Sequence, residues 1–393
     1  MKMKMKIVSI LLVKFLVNLR LYQIISSLYL IKKDFSIASI SLIFFYFQLS
    51  KWILEIPTGI ISDKYGRKIS CLISILFSEI FLILLVSFKD FYIILIAFIL
   101  NGISYSFLSG SLDALLVDTI IEEKMEKKLD FFSLIERIVF YSAVGFGSLI
   151  GGSLAMLSYE LVIYISLGLN LISCICLIFI KEKRNIDFSI STKELTVQSV
   201  KIIVADKLIL YFLLIDLAIA LSMVPIDNLY SIYLKEYNFN EITIGLILCI
   251  QLIFSALIGL ILMKHFNKIL KKIKIEMLPF LMLTFISLFF VVNNKVISII
   301  LYLLGTIFFC IYAPQKYKIT HSIIPPKVRG SIMSITSLFI SATGSISHFV
   351  FSKIINYSIK NIFLIFISLS IFFLIIINLI FKSKLKEINK RGI

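Results

Sequence analysis

The chain has 393 residues, 60% of them hydrophobic, and a formal net charge of +17. Its mean hydropathy of +1.03 excludes a water-soluble domain, because such a surface would leave apolar patches far beyond the few hundred Å² a soluble monomer tolerates. The charge does not mark a nucleic-acid binder either, since the basic residues are dispersed among apolar runs instead of gathered into one patch.

Apolar runs of bilayer-spanning length recur throughout, and they lack the ten-residue alternation of barrel strands, so they read as helices. Twelve spans are predicted, at 7–31, 37–61, 69–88, 91–120, 133–157, 160–180, 207–232, 242–263, 276–293, 295–315, 330–353 and 360–381. The first has no small-residue cleavage site behind it and is interrupted by Arg20, which argues against a cleaved signal peptide. Numbering the connections alternately puts 29 Lys and Arg on one side, counting Lys316 and Lys318 with the loop after span ten, and 6 on the other. That is the positive-inside bias, and it puts both termini in the cytoplasm. A patch for anionic lipid is a lesser reading of the same residues.

The longest polar connection, 183–206, follows six spans and precedes six. The expected organisation is an N-terminal bundle at 1–182, a cytoplasmic linker at 183–206 and a C-terminal bundle at 207–393, with a site between repeats. A degenerate repeat supports it: Gly59 lies four residues before Asp63 at the end of span two, and Gly259 four before Met263 at the end of span eight, each followed by basic residues. Cys71, Cys174, Cys176, Cys249 and Cys310 sit in or beside spans without metal-ligand spacing, and the three histidines are scattered, so neither a metal site nor a cofactor is expected.

The connection after span two reads Gly59-Ile-Ile-Ser-Asp63-Lys-Tyr-Gly66-Arg67-Lys68 and is led by Glu55-Ile-Pro-Thr. It resembles the signature loop between the second and third membrane helices of the major facilitator superfamily. Asp113-Ala-Leu-Leu-Val-Asp118 at the end of span four, and Ile324-Pro-Pro-Lys-Val-Arg329-Gly-Ser331 opening span eleven, resemble stretches the family carries at those places. Gly147-Ser148-Leu-Ile-Gly151-Gly152 resembles the antiporter signature of span five, with Ser148 in place of its proline. The resemblance implies an all-α membrane protein of twelve helices in two six-helix bundles. It implies that Asp63, Arg67 and Asp118 form a charge relay near the start of span eleven at Arg329, with Gly59, Gly66 and Lys68 completing a gating loop; a plain solvated basic turn is the alternative. Gly147 and Gly151 fit a small-xxx-small pattern, read first as helix packing.

Ionisable residues inside spans are costly and are kept for a reason, about 2.5–3.5 kcal/mol each at a helix centre. Arg20 lies mid-span one with Gln23 a turn on, Asp216 mid-span seven, and Asp227 and Asn228 beyond Pro225; Lys51 and Glu55 occupy span two and Asp113 span four. The resemblance implies that spans one, four and seven line a central cavity. Arg20, Gln23, Glu55, Asp113, Asp216, Asp227 and Asn228 are therefore the candidate substrate and proton pathway, Arg20 for an anionic group and the acids for protons. Structural pairing of Arg20 with an acid is the alternative. Glu136, Arg137 and Lys353 snorkel to interfaces. The chain has no phosphate-binding Gly-x-x-x-x-Gly-Lys-Ser/Thr loop. The resulting expectation is a monomeric secondary transporter of the cytoplasmic membrane, working by alternating access on a small molecule and protons, with no nucleic acid as partner. Efflux of a drug or toxic metabolite leads; import of a sugar, amino acid or organic anion is second, and a non-transporting receptor or a membrane enzyme comes last.

Overall fold

The computed structural model describes residues 5–125, 128–182, 192–269, 274–324, 328–354 and 358–382; within these, the side chains of 130, 134, 192–196, 255, 256, 258–269, 318, 321, 322, 329 and 330 lie outside the description. The described residues are helical, with no strand among them. The helices are α1 (Met5–Asn18), α2 (Ser26–Lys32), α3 (Ile37–Tyr65), α4 (Arg67–Ser87), α5 (Phe91–Leu108), α6 (Ser111–Glu122), α7 (Leu129–Ala155), α8 (Tyr159–Phe179), α9 (Thr192–Ala205), α10 (Lys207–Glu236), α11 (Glu241–Ile269), α12 (Leu278–Val291), α13 (Lys295–Ile323), α14 (Arg329–Lys353) and α15 (Ile359–Ile380). By length and composition, nine helical stretches among the described residues are fit to cross a membrane, and Glu241–Phe254 and Ile275–Val291 are shorter apolar helices.

Helix starts follow local chemistry. The Asp90 carboxylate accepts from the amides of Tyr92 and Ile93 (2.9 and 3.1 Å), the Ser158 hydroxyl from Leu161 (3.0 Å), and Asn294 Oδ1 from Val296 and Ile297 (3.0 and 3.1 Å). Each satisfies amide donors that the first turn leaves open. Pro57, Pro225 and Pro314 lie inside α3, α10 and α13, where they remove a hydrogen bond without ending the helix.

Three expectations are corrected here. Span one is not a continuous helix over 7–31: α1 stops at Asn18, residues 19–25 form turns with Arg20 at φ +29, and α2 begins at Ser26. Span four, expected over 91–120, is matched by one apolar stretch, Phe91–Glu122, but that stretch is two helices, α5 and α6, parted at Ser109 and Gly110, the latter in the left-handed region. Lys316 and Lys318, counted with a loop, belong to α13, which runs on to Ile323, and Lys316 pairs with Asp216 of α10. In addition, the stretch read as linker contains α9; Ile203 from it packs with Ile209, Leu213, Ile324, Val328, Ile332 and Ile335.

The chain divides into two compact units, Met1–Phe188 with Ser231–Ile253, and Ser189–Tyr230 with Phe254–Ile393. In the first, Ile7, Ile10 and Val13 of α1 form a core with Leu112 and Leu116 of α6, Phe132 of α7 and Leu177 of α8. Serine hydroxyls bridge α3, α4, α5 and α6: Ser74 to Ser104 (3.1 Å), Ser62 to Ser111 (2.9 Å) and Ser111 to Ser70 (3.1 Å). Small hydroxyl residues at helix contacts allow close approach and satisfy one another in an apolar surround. Lys33, just past α2, closes the end of α4 by donating to the carbonyls of Leu85 and Phe88; burial holds its pKa down at about 8, against the pull of Glu160. In the second unit, α12 and α13 pair through Phe289 and Tyr302 (ring centroids 5.1 Å apart), and Phe290 and Phe351 enclose Phe363 of α15.

Candidate functional site

Four groups of polar residues lie within the units. The first surrounds the break in α1–α2. The Arg20 guanidinium lies over the Tyr105 ring of α5, 3.7 Å from its centroid. Lys51 of α3 stands 5.5 Å from the same ring and 5.4 Å from Phe47, and donates to Gln48 Oε1 at 3.3 Å. Arg20 also lines a polar cavity with Tyr22, Ser74, Ser78, Ser104 and Asn170, of about 10 Å³, the room of one water molecule. Gln23 is exposed and its amide closes the turn on Arg20 O at 2.9 Å. Glu55 accepts from Ser109 Oγ at 3.0 Å and feels the charge of Lys51 without closing to an ion pair. What holds the break is α7. A Cβ on Gly147 would overlap the Leu19 carbonyl and one on Gly151 the Leu21 carbonyl, while Gly152 meets the Glu241 carbonyl of α11 in the same way. Glycine is needed there because backbone sits on backbone.

The second group is Lys14, buried in α1, which pairs with both Asp113 of α6 and Glu136 of α7. Asp113 is thus occupied by a lysine that sequence reading passed over. Its signal was an unaccounted cation between apolar residues, since a charge that deep demands a counter-ion.

The third group lies in the second unit. Asp216, 9% exposed, pairs with Lys316 of α13 and lies 3.5 Å from the Tyr312 hydroxyl. Tyr312 and Lys316 are one turn apart and share a helix face, so both reach the same carboxylate. Asn228 Nδ2 donates to Val224 O (3.0 Å) and lies 2.9 Å from Nε2 of fully buried His348 on α14. Asp227 is exposed and forms no ion pair among the described residues. Neither Lys316 nor His348 stood out in the sequence. One fell past an expected span end, and the other needed α10 and α14 to be neighbours.

The fourth group is the loop after α3. Gly66, at φ +106, separates α3 from α4. Arg67 pairs with Asp63 and donates to Ser62 Oγ (3.2 Å). Glu182, beyond α8, accepts from the backbone amides of Arg67 (2.8 Å) and Lys68 (3.2 Å), capping α4. Lys68 Nζ donates to the carbonyls of Ile178 (2.6 Å) and Ile180 (2.8 Å) at the end of α8. A Cβ on Gly66 would stand 2.8 Å from Glu182 Oε2. Gly59 has open space around it. Asp118 is exposed and lies within reach of the Arg67 charge, but forms no ion pair within 4.0 Å among the described residues. Arg329 opens α14, but its side chain lies outside the described residues, as do Pro325, Pro326 and Lys327. Glu182 escaped sequence reading because its partners are backbone amides 114 and 115 positions away.

No group of three or more His, Cys, Asp or Glu able to hold a metal occurs among the described residues. The geometry contains ion pairs between helices, a cation-rich break between α1 and α2, and a clasped loop.

Comparisons with known proteins agree in kind. The family model described as Major Facilitator Superfamily matches residues 10–348. An uncharacterized MFS-type transporter of Bacillus subtilis (strain 168), YxaM, is 27% identical over 264 residues, which are 65% of this chain and 64% of that protein, a little under two thirds of the relative's length. Among solved structures, a mutant form of the nucleoside transporter NupG superposes with a TM-score of 0.78 at 14% identity, over 96% of this chain and all of that one. A bacterial homologue of the lysosomal transporter Spinster, inward-facing and unoccupied, gives 0.72 at 10% identity, over 98% and 96%. A D-xylose-proton symporter gives 0.68 at 15% identity, over 94% and 97%. At these identities the structures carry the fold alone.

Proposed function

We propose, from the premise that the chain belongs to the Major Facilitator Superfamily, that it is a secondary active transporter moving a small amphipathic molecule across the cytoplasmic membrane by alternating access, driven by protons and directed outward. Its twelve crossings would be the nine apolar stretches, the two shorter apolar helices and the broken α1–α2 segment. They would be arranged as bundles 1–182 and 207–393 joined by 183–206, with both termini cytoplasmic and the chain acting as a monomer.

The observation that carries the reading is the Asp216–Lys316 pair with Tyr312 beside it. A carboxylate in that setting can hold a proton or a lysine, but not both well. Protonating Asp216 would release Lys316, whose side chain is 24% exposed. Its charge would turn to water as the helices around Asp216 shift, at less than the cost of on the order of 3–5 kcal/mol that a fully buried unpaired charge carries. A tilt of that order shifts a two-state balance, although a full reversal from 1:99 to 99:1 takes about 5.5 kcal/mol. In the Lys14–Asp113–Glu136 group the roles are reversed, with a buried lysine held by two more exposed carboxylates. The Asp63–Arg67 pair and its Glu182 clasp support a latch that differs between states, to which Asp118 and Arg329 would contribute in the other state.

The test is proton flux in everted membrane vesicles holding an imposed pH gradient, read by a quenched fluorescent base, with drugs, sugars and organic anions added in turn. Dequenching by one class, lost in Asp216→Asn, is expected. Flux in that variant equal to wild type, or silence across the panel from folded protein, would overturn proton coupling through Asp216. A second reading, uptake of a sugar, amino acid or organic anion, is favoured by one observation, Arg20 over Tyr105.

A further inference from the structure

The break between α1 and α2 places two cations against one aromatic ring. The Arg20 guanidinium is 3.7 Å from the Tyr105 centroid, and Lys51 Nζ is 5.5 Å from it. Phe47 packs edge-on against Tyr105, 5.3 Å between centroids, and Lys51 also stands 5.4 Å from Phe47. Every other intramembrane cation with a described role sits on a carboxylate: Lys14 on Asp113 and Glu136, Lys316 on Asp216. Arg20 and Lys51 do not. Among the described residues, neither lies within 4.0 Å of an acidic oxygen. The nearest acid on α3, Glu55, attracts Lys51 from beyond ion-pair distance and accepts its hydrogen bond from Ser109.

Two like charges sharing one ring repel each other, and a ring's π-face compensates neither fully. Charges inside a membrane protein are kept where they meet a partner or a ligand. The backbone points the same way. Arg20 has a positive φ, a conformation that costs a branched or long side chain and persists where the surroundings impose it. Gly147 and Gly151 supply that constraint by seating α7 on the Leu19 and Leu21 carbonyls. Interrupted helices in transporters lie where a ligand meets the protein.

We propose that Arg20 and Lys51 form an oxyanion subsite and that Phe47 and Tyr105 receive the flat apolar body attached to it, so that the transported molecule is a small organic anion. The guanidinium offers a planar fork to a carboxylate or phosphate, and the ammonium adds a point charge from α3. Gln48 orients Lys51 by accepting its hydrogen bond at 3.3 Å. This rests on the transporter reading but not on its direction or its coupling ion.

The test uses the purified full-length protein in detergent, with no pH gradient. Benzoate, succinate and inorganic phosphate are the probes and benzamide is the uncharged control, each read by thermal unfolding and by calorimetric titration. Benzoate is expected to raise the unfolding midpoint while benzamide does not, and affinity is expected to fall on the order of tenfold or more in Arg20→Gln and several-fold in Lys51→Gln. Tyr105→Phe should retain binding and Tyr105→Ala weaken it. Preference for phosphate over benzoate would assign the subsite to phosphorylated molecules. Equal shifts from benzoate and benzamide, no shift from any oxyanion, or unchanged binding in both cation variants would overturn the proposal. If Arg20→Gln does not fold, Lys51→Gln and Tyr105→Ala decide it. Arg20-dependent benzoate binding in a protein that moves no protons would leave this subsite standing and sink the coupling. Proton flux driven only by neutral or cationic molecules, without oxyanion binding, would do the reverse.

Discussion

A methyl group at Gly147 would occupy the space of the Leu19 carbonyl, whereas one at Gly59 would meet nothing within 4 Å. Both glycines belong to segments that resemble family signatures, yet only one is fixed by contact. Gly147→Ala must push α7 away from a backbone that cannot rotate aside, at a cost of about 1–3 kcal/mol. It should lower the thermal midpoint by several degrees, while Gly59→Ala should unfold within a degree of wild type; equal midpoints would remove the packing explanation for the α7 glycines. Lys14 carries the complementary lesson. From the sequence it is a cation in an apolar run, and its pairing with two distant acids, Asp113 and Glu136, required α1, α6 and α7 to meet.

Among elements, the breaks in spans one and four and the clasp at α4 were the features least visible beforehand. Hydropathy registers Arg20 and Gln23 as polar interruptions of span one but not as a break in the helix, because a helix can carry such residues and Leu19 and Leu21 around them are apolar and buried. What stops α1 is the seat that α7 provides, a contact between distant segments. The clasp is similar: the sequence identifies the Gly66-Arg67-Lys68 turn, but Glu182 arrives from beyond α8 to cap it. Glu182→Ala leaves two first-turn amides of α4 without their acceptor and should cost about 1 kcal/mol, measured as a lower unfolding midpoint. A midpoint equal to wild type would show the amides to be satisfied by water instead.

At the scale of the molecule, the asymmetry of lysine and arginine is the strongest guide to orientation, and moving Lys316 and Lys318 from the loop tally into α13 barely alters it. The orientation it predicts can be read directly. With the five native cysteines replaced by serine, a single cysteine at Lys89, between α4 and α5, should react with an impermeant maleimide added to intact cells. One at Lys124, after α6, should react only in everted vesicles. The opposite pattern would invert the assignment of sides.

Membrane class, helical architecture and family lie in composition, in runs of about twenty apolar residues and in one ten-residue loop, because these signals are local and the bilayer imposes length and polarity segment by segment. Arg20, Asp113 and Asp216 were identifiable as costly charges for the same reason. Which charge meets which was decided only by tertiary structure. Asp113 and Asp216 proved to be lysine-bound, Arg20 and Lys51 to share a ring, and Glu182 to hold a helix end, since a partner far along the chain leaves no trace in local pattern and is selected by how the helices pack.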